Sequence, residues 1–211
     1  MRYYIFDFDG TLADSMPYWA EKTLGILKRR GIKYPSDTLK KIVTLGDAGT
    51  VKYFIETFGI TDSEQTLFDE MDAYALDKYS NVIQLKPYVG EYLKRKKKEG
   101  AVLCVLTASP HKMLDPCLKN NGVFDLFDHV WTCEDLGFKK DNPEIYKKAA
   151  DILGSDISEI AFFDDSIVAV KTAKAAGLYT VGVADDLASD FKDEIIKTAD
   201  KFVETFDELD D

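Results

Sequence analysis

Cations are in short supply in this 211-residue chain: 27 Lys and Arg stand against 38 Asp and Glu, a formal net charge of −11. Binding to nucleic acid draws on clustered cations that neutralise backbone phosphates, so a nucleic-acid partner is not expected. The basic run 94–98 lies in a helix-like segment and reads as a solvated face. Cysteine occurs three times, at Cys104, Cys117 and Cys133, with neither a metal-site spacing nor a disulfide-rich context. Histidine occurs twice, at His111 and His129, and neither is given a role. No apolar run is long enough to span a bilayer, and the first residues form a strand pattern, not a signal peptide. The expectation is a reduced, cytoplasmic protein with no membrane partner. Repeats and low-complexity linkers are missing as well.

What is present is an ordinary globular mixture, 45% hydrophobic and 31% charged, long enough for a core domain with a smaller insertion. Short apolar runs at 3–6, 101–106, 129–132, 160–163 and 179–183 suit strands buried on both faces of a parallel sheet. Helical patterns at 88–99, 111–121, 143–153 and 168–176 alternate with them. Gly100, Gly122, Gly154 and Gly177 stand just past the helix ends. This alternation predicts an α/β fold, a doubly wound parallel-sheet (Rossmann-like) core. From 15 to 84 no strand pattern occurs, only helical spacing broken near 31–35, 46–49 and 59–61. A small all-helical insertion, 15–84, is expected within a core of 1–14 and 85–211. The acidic end, 204–211, reads as a solvated tail.

In open α/β sheets, ligands bind beyond the carboxyl ends of the strands, and the residues following each apolar run are chemically coherent. They are Asp7-Phe8-Asp9-Gly10-Thr11, then Thr107-Ala108-Ser109, then Lys139-Lys140-Asp141, then Asp164-Asp165-Ser166. Carboxylates gathered near a buried edge need a counter-charge, and Mg2+ prefers a few carboxylates together with water and substrate phosphate. The metal set read from these residues is Asp7, Asp9 and Asp165, to which the family resemblance given below adds Asp164. Lys140 and Thr107 would bind phosphoryl oxygens, Asp7 would attack phosphorus, and Asp9 would act as general acid and base. The expected phosphate cradle is Asp7, Phe8, Asp9, Thr107, Ala108 and Lys140. Each group alone has a plainer reading: a turn for Asp7–Gly10, a cap for Thr107, Asp164 or Asp165, a surface lysine for Lys140. Ser109 stands between helix capping and phosphate contact.

The run Phe6-Asp7-Phe8-Asp9-Gly10-Thr11-Leu12-Ala13-Asp14-Ser15 resembles the first motif of the haloacid dehalogenase superfamily, specifically its phosphatases with a helical cap inserted after that motif. Val105-Leu106-Thr107 resembles the second motif, and Phe162-Phe163-Asp164-Asp165-Ser166 the fourth. The resemblance implies Asp7 as nucleophile, Asp9 as acid/base, Thr107 and a lysine gripping phosphate, and a small phosphate ester as substrate. Pro143 and Tyr146 set the register that makes Lys140 that lysine, with Lys139 as the rival. Two departures stand out: Asp141 replaces a usual proline, and Ala169 occupies a position where many relatives carry an acid. Asp165 is expected as a direct metal ligand and Asp164 as a direct or water-mediated one. A dehalogenase is disfavoured by Asp9, since no leaving oxygen would need its proton. A phosphomutase shares all four motifs, and a non-catalytic phospho-ligand-binding module is the alternative from another class.

Overall fold

A computed structural model describes residues 1–43 and 45–209. In chain order the elements are β1 (Tyr3–Phe6), α1 (Met16–Arg29), α2 (Thr38–Ile42), α3 (Gly46–Phe58), α4 (Glu64–Asn81) and α5 (Val89–Lys98). They continue with β2 (Val102–Thr107), α6 (His111–Asn120), β3 (His129–Thr132), α7 (Cys133–Leu136), α8 (Glu144–Leu153), β4 (Ile160–Asp164), α9 (Ile167–Ala176), β5 (Tyr179–Val183), α10 (Lys192–Thr198) and β6 (Lys201–Val203). The chain forms two compact units: 1–16 with 83–211, and 17–82. No helix of the described residues is long and apolar enough to cross a membrane.

The larger unit is built on a six-stranded sheet in the order β3-β2-β1-β4-β5-β6, with every pairing parallel. The chain lays down β1, β2 and β3 outward, then returns to place β4 on the other side of β1. That reversal makes the gap between β1 and β4 the topological switch point, where ligands gather in such folds. Alternate side chains point to opposite faces, and here both faces are apolar, as a Rossmann-like core demands. Ile5, Cys104, Leu106 and Phe162 pack with Tyr146, Ala169 and Ala173 on one side. Tyr4, Phe6 and Phe163 stack with Tyr92 and Phe206 on the other, Phe6 and Phe163 with ring centroids 4.6 Å apart. Burying each such side chain contributes about 1.5–3 kcal/mol, so the strands on either side of the switch point are held by apolar packing on both faces.

The smaller unit has its own core of Ile26, Leu27, Ile42, Val51, Phe54, Leu67 and Met71. Its aromatics Tyr53, Phe54 and Phe58 pack on one another, so they serve packing. Ser63 caps α4 by accepting from the Thr66 amide at 3.1 Å, and Gly59 ends α3 in the left-handed region, φ 65°.

Two expectations are corrected. The break expected near 46–49 falls just before those residues, between α2, which ends at Ile42, and α3, whose first turn is 46–49. Gly46 has φ 67°, and a Cβ on Gly49 would stand 2.8 Å from the Leu45 Cβ, so these glycines serve the helix entry. Thr44, just before this turn, lies outside the described residues. The acidic end is also more than a solvated tail: Phe206 is buried in the aromatic stack and a 3-10 turn spans Phe206–Leu209. Asp210 and Asp211 lie outside the described residues.

Candidate active site

Every group at this site lies in the larger unit, at the carboxyl edge of its sheet. Asp7 follows β1, and its amide donates to the Phe163 carbonyl at 2.8 Å, extending the β1–β4 ladder by one rung. The chain then curls tightly. The Leu12 and Ala13 amides both donate to the Phe8 carbonyl, at 3.0 and 2.9 Å, and the Gly10 amide donates to the Ala13 carbonyl. Gly10 has φ +80°, a region that L side chains rarely adopt, and a Cβ there would stand 2.7 Å from Asp165 Oδ2. Glycine is needed at this turn because Asp165 occupies the adjoining space.

Carboxylate oxygens of Asp7, Asp164 and Asp165 lie within 4.8 Å of one another, and all three residues are buried. Lys140 reaches into this group, donating to Asp7 Oδ1 at 2.5 Å and to Asp164 Oδ2 at 2.7 Å. Asp164 Oδ1 accepts from the Ser166 amide at 2.7 Å, which fixes the start of α9. Thr11, with no exposed surface, donates its hydroxyl to Asp165 Oδ1 at 3.1 Å. Tyr146 anchors the lysine segment, its hydroxyl standing 2.9 Å from the Lys140 carbonyl and 3.2 Å from that of Ala169.

The electrostatics follow from three buried carboxylates sharing one ammonium. Burial pushes the Asp7 carboxyl well above the ordinary range; Lys140 opposes this, and Asp164, Asp165 and Asp9 add to it. Asp165 is pushed up to about 7, first by burial and then by the charges of Asp164 and Asp185. Burial pulls Lys140 down, but the Asp164 and Asp7 carboxylates outweigh it and hold the ammonium well above its usual range. One lysine leaves the group electron-rich, and the donors are all hard carboxylate oxygens. That set fits a small divalent cation with oxygen preference.

Other expected residues fall as follows. The Asp9 carboxylate lies outside the three-carboxylate group and accepts from Ser109 Oγ at 2.5 Å. Thr107 is buried at the end of β2, its Oγ1 accepting from the Ser109 amide at 3.1 Å. Ala108 is exposed beside it and Phe8 is buried. Lys139 and Asp141 are both exposed, so the structure brings Lys140 to the carboxylates and leaves its neighbours outside. His111 bonds Asp115 at 2.8 Å and Asp135 at 2.9 Å, tying α6 to α7.

Some of the supporting residues were not singled out by motif. Lys86 donates to the Ala184 carbonyl at 2.7 Å and to Asp185 Oδ2 at 2.9 Å, and the charges of this pair reach Asp165. Its amide also donates to the Leu12 carbonyl at 2.8 Å, tying the end of β5 to the turn after β1. A lone lysine before Pro87 carries no local signal of that role. Thr11 and Tyr146 lie inside recognisable motifs, but their partners cannot be read from spacing.

A family model for haloacid dehalogenase-like hydrolases matches residues 1–177. The chain belongs to the haloacid dehalogenase-like hydrolase family. Among its relatives, a phosphoglycolate phosphatase of Rhodobacter capsulatus is 30% identical over 186 residues, covering 84% of this chain and 84% of the relative. Hexitol phosphatase B of Escherichia coli (strain K12) is 28% identical over 182 residues, covering 85% of this chain and 82% of the relative. The crystal structure of CbbY from Rhodobacter sphaeroides in complex with phosphate has the same fold. Its TM-score is 0.81 at 19% identity, covering 100% of this chain and 96% of that one.

Proposed function

We propose that the protein is a Mg2+-dependent phosphatase that hydrolyses a small phosphate monoester through an aspartyl-phosphate on Asp7. The enzyme class, phosphoric monoester hydrolase, follows from the family and from relatives named as phosphatases. The observation that carries the mechanism is the grouping of Asp7, Asp164 and Asp165 around Lys140 at the switch point.

Asp7 and Asp165 would hold Mg2+, with Asp164 as a direct or water-mediated third partner. Bound there, the ion would neutralise the carboxylates and the incoming phosphate of a protein whose net charge is −11. Lys140 aligns the Asp7 carboxylate and turns toward a phosphoryl oxygen when the ester arrives. Thr107 and the backbone of Phe8, Asp9 and Ala108 complete the cradle. An Asp7 oxygen then attacks phosphorus, the ester P–O bond breaks, and the departing oxygen takes a proton from Asp9. Asp9, now a carboxylate, accepts a proton from water as that water attacks the acyl phosphate. The second P–O bond breaks, which releases inorganic phosphate and restores the Asp7 carboxylate.

We assign selection of the leaving group to the helical unit. Its cations are largely committed: Lys22 chelates both oxygens of Asp47 at 2.8 and 2.9 Å, Arg30 pairs with Asp62 and Glu70, and Arg29 with Glu70. Paired cations favour a small neutral leaving group, such as a sugar or polyol, over a second phosphate. They also favour water over a sugar phosphate as acceptor, and thus hydrolysis over phosphoryl transfer by a mutase. The test is phosphate release from p-nitrophenyl phosphate with and without Mg2+, followed by a panel of sugar and polyol phosphates. Mg2+-dependent release supports the chemistry. Release unaffected by chelation removes the metal role, and preferred turnover of a bisphosphate removes the assignment of leaving group.

A further inference from the structure

We propose that Ser109 is the positioning residue for Asp9, its hydroxyl setting the carboxyl in the orientation from which it protonates the departing oxygen. The inference rests on Asp9 being the general acid, and it assigns a function to a serine that nothing in the first-motif chemistry requires. Ser109 Oγ donates to Asp9 Oδ2 at 2.5 Å, across 100 residues of sequence. That is at the short end of the O–H···O hydrogen-bond range.

Two other roles are open to a serine in this position, and the geometry speaks against both. Pro110 is the cap residue of α6, and the helix start has no side-chain cap bond, so the Ser109 hydroxyl is not used there. A hydroxyl has one proton to donate, and here it goes to Asp9, which leaves none for a phosphoryl oxygen. The serine is itself held. Its amide donates to Thr107 Oγ1 at 3.1 Å, at the end of the buried strand β2, and Pro110 follows directly. The strand end therefore fixes Ser109, and Ser109 in turn fixes Asp9.

With Oδ2 engaged, the proton to be transferred sits on Oδ1. As the ester P–O bond breaks, its electron pair goes to the leaving oxygen, which takes that proton. The Ser109 O–H then faces a full carboxylate and stabilises it. The gain is greatest where the leaving oxygen is most basic and least where it departs easily as an anion.

The test uses the intact protein and a series of para-substituted phenyl phosphates, from nitro to methoxy, under Mg2+. In Ser109→Ala, kcat/KM for the methoxy ester should fall at least about tenfold further than for the nitro ester, a part of the roughly 10²–10⁴-fold that a general acid contributes. Ser109→Thr, which keeps the hydroxyl, should restore most of the difference. Inhibition by inorganic phosphate should be unchanged in both variants. Parallel losses across the series together with weaker phosphate inhibition would make Ser109 a phosphate ligand and overturn the proposal. Unchanged rates in Ser109→Ala, or a Thr variant as impaired as Ala, would overturn it too. Failure of the unmutated protein to turn over any ester would instead strike at the phosphatase reading itself.

Discussion

The ammonium of Lys140 stands 2.5 Å from Oδ1 of Asp7 and 2.7 Å from Oδ2 of Asp164, a cation held between two buried carboxylates from β1 and β4. This lysine is the main counter-charge of the cluster, and removing it exposes what the cluster costs. Breaking a buried ion pair by deleting one partner typically costs about 3–5 kcal/mol. Lys140→Met should therefore lower stability by an amount in that range at neutral pH and reduce turnover at least about a hundredfold. The stability deficit should shrink in acid, because Asp7, whose carboxyl burial already pushes up, can then take a proton in place of the missing ammonium. Thermal melts of both proteins across pH check this, and a deficit that does not vary with pH would contradict it.

Asp165 gives a second prediction, with its sign fixed by linkage. Its folded carboxyl is raised from 3.8 to about 7 by burial and by Asp164 and Asp185. A raised acid contributes stability that is complete below its unfolded value and is lost as pH climbs toward the folded one. The metal-free protein should lose this contribution between roughly pH 4 and 7. Mg2+ competes with the proton for the same oxygens, so it should raise the melting temperature strongly near about pH 8 and little near about pH 5. A Mg2+ shift of equal size at both would mean the ion binds elsewhere.

Gly10 is the third point of test. A methyl group there meets Asp165 Oδ2 at 2.7 Å in a backbone conformation, φ +80°, that alanine tolerates poorly. Gly10→Ala should destabilise by about 1–3 kcal/mol and also weaken Mg2+ binding at least about tenfold, because Asp165 must move. Calorimetric titration with Mg2+ separates the two effects. Destabilisation with unaltered metal affinity would show that Asp165 does not hold the ion.

Much of the fold was legible because the strands flanking the switch point are continuous apolar runs: Tyr3–Phe6 falls where its run lies, and Ile160–Asp164 ends one residue past its own. The last strand, Lys201-Phe202-Val203, was not legible. Three residues at a sheet edge, one of them lysine, leave no period to read. The glycines at 46 and 49 misled for a related reason: glycine marks breaks on average, but here Gly46 and Gly49 admit the chain into α3 beside Leu45. Phe206 was lost among its acidic neighbours, although one buried ring was enough to draw the end of the chain onto the sheet.

At the site, Asp7, Thr107, Asp164 and Asp165 were legible because each stands at the end of an apolar run, where the topology of a parallel sheet gathers side chains. The direction in which each points was not. Asp9 turns to Ser109, and Lys86 to Asp185, through side-chain rotamers that join positions about 100 residues apart. No local pattern encodes such a pairing, whereas the ends of β2, β1 and β4, neighbours in the sheet, are marked by their apolar runs.

The central claim is that Asp7 becomes phosphorylated, and Asp9→Asn offers the most direct view of it. With p-nitrophenyl phosphate and Mg2+, the good leaving group departs without an acid, but water then lacks its base, so the acyl phosphate should accumulate. Acid quenching, borohydride reduction and peptide mass analysis should show residue 7 converted to homoserine after one equivalent of nitrophenol is released. Asp7→Asn should release none. Nitrophenol release with Asp7 unmodified, or undiminished turnover in Asp7→Asn, would contradict the account.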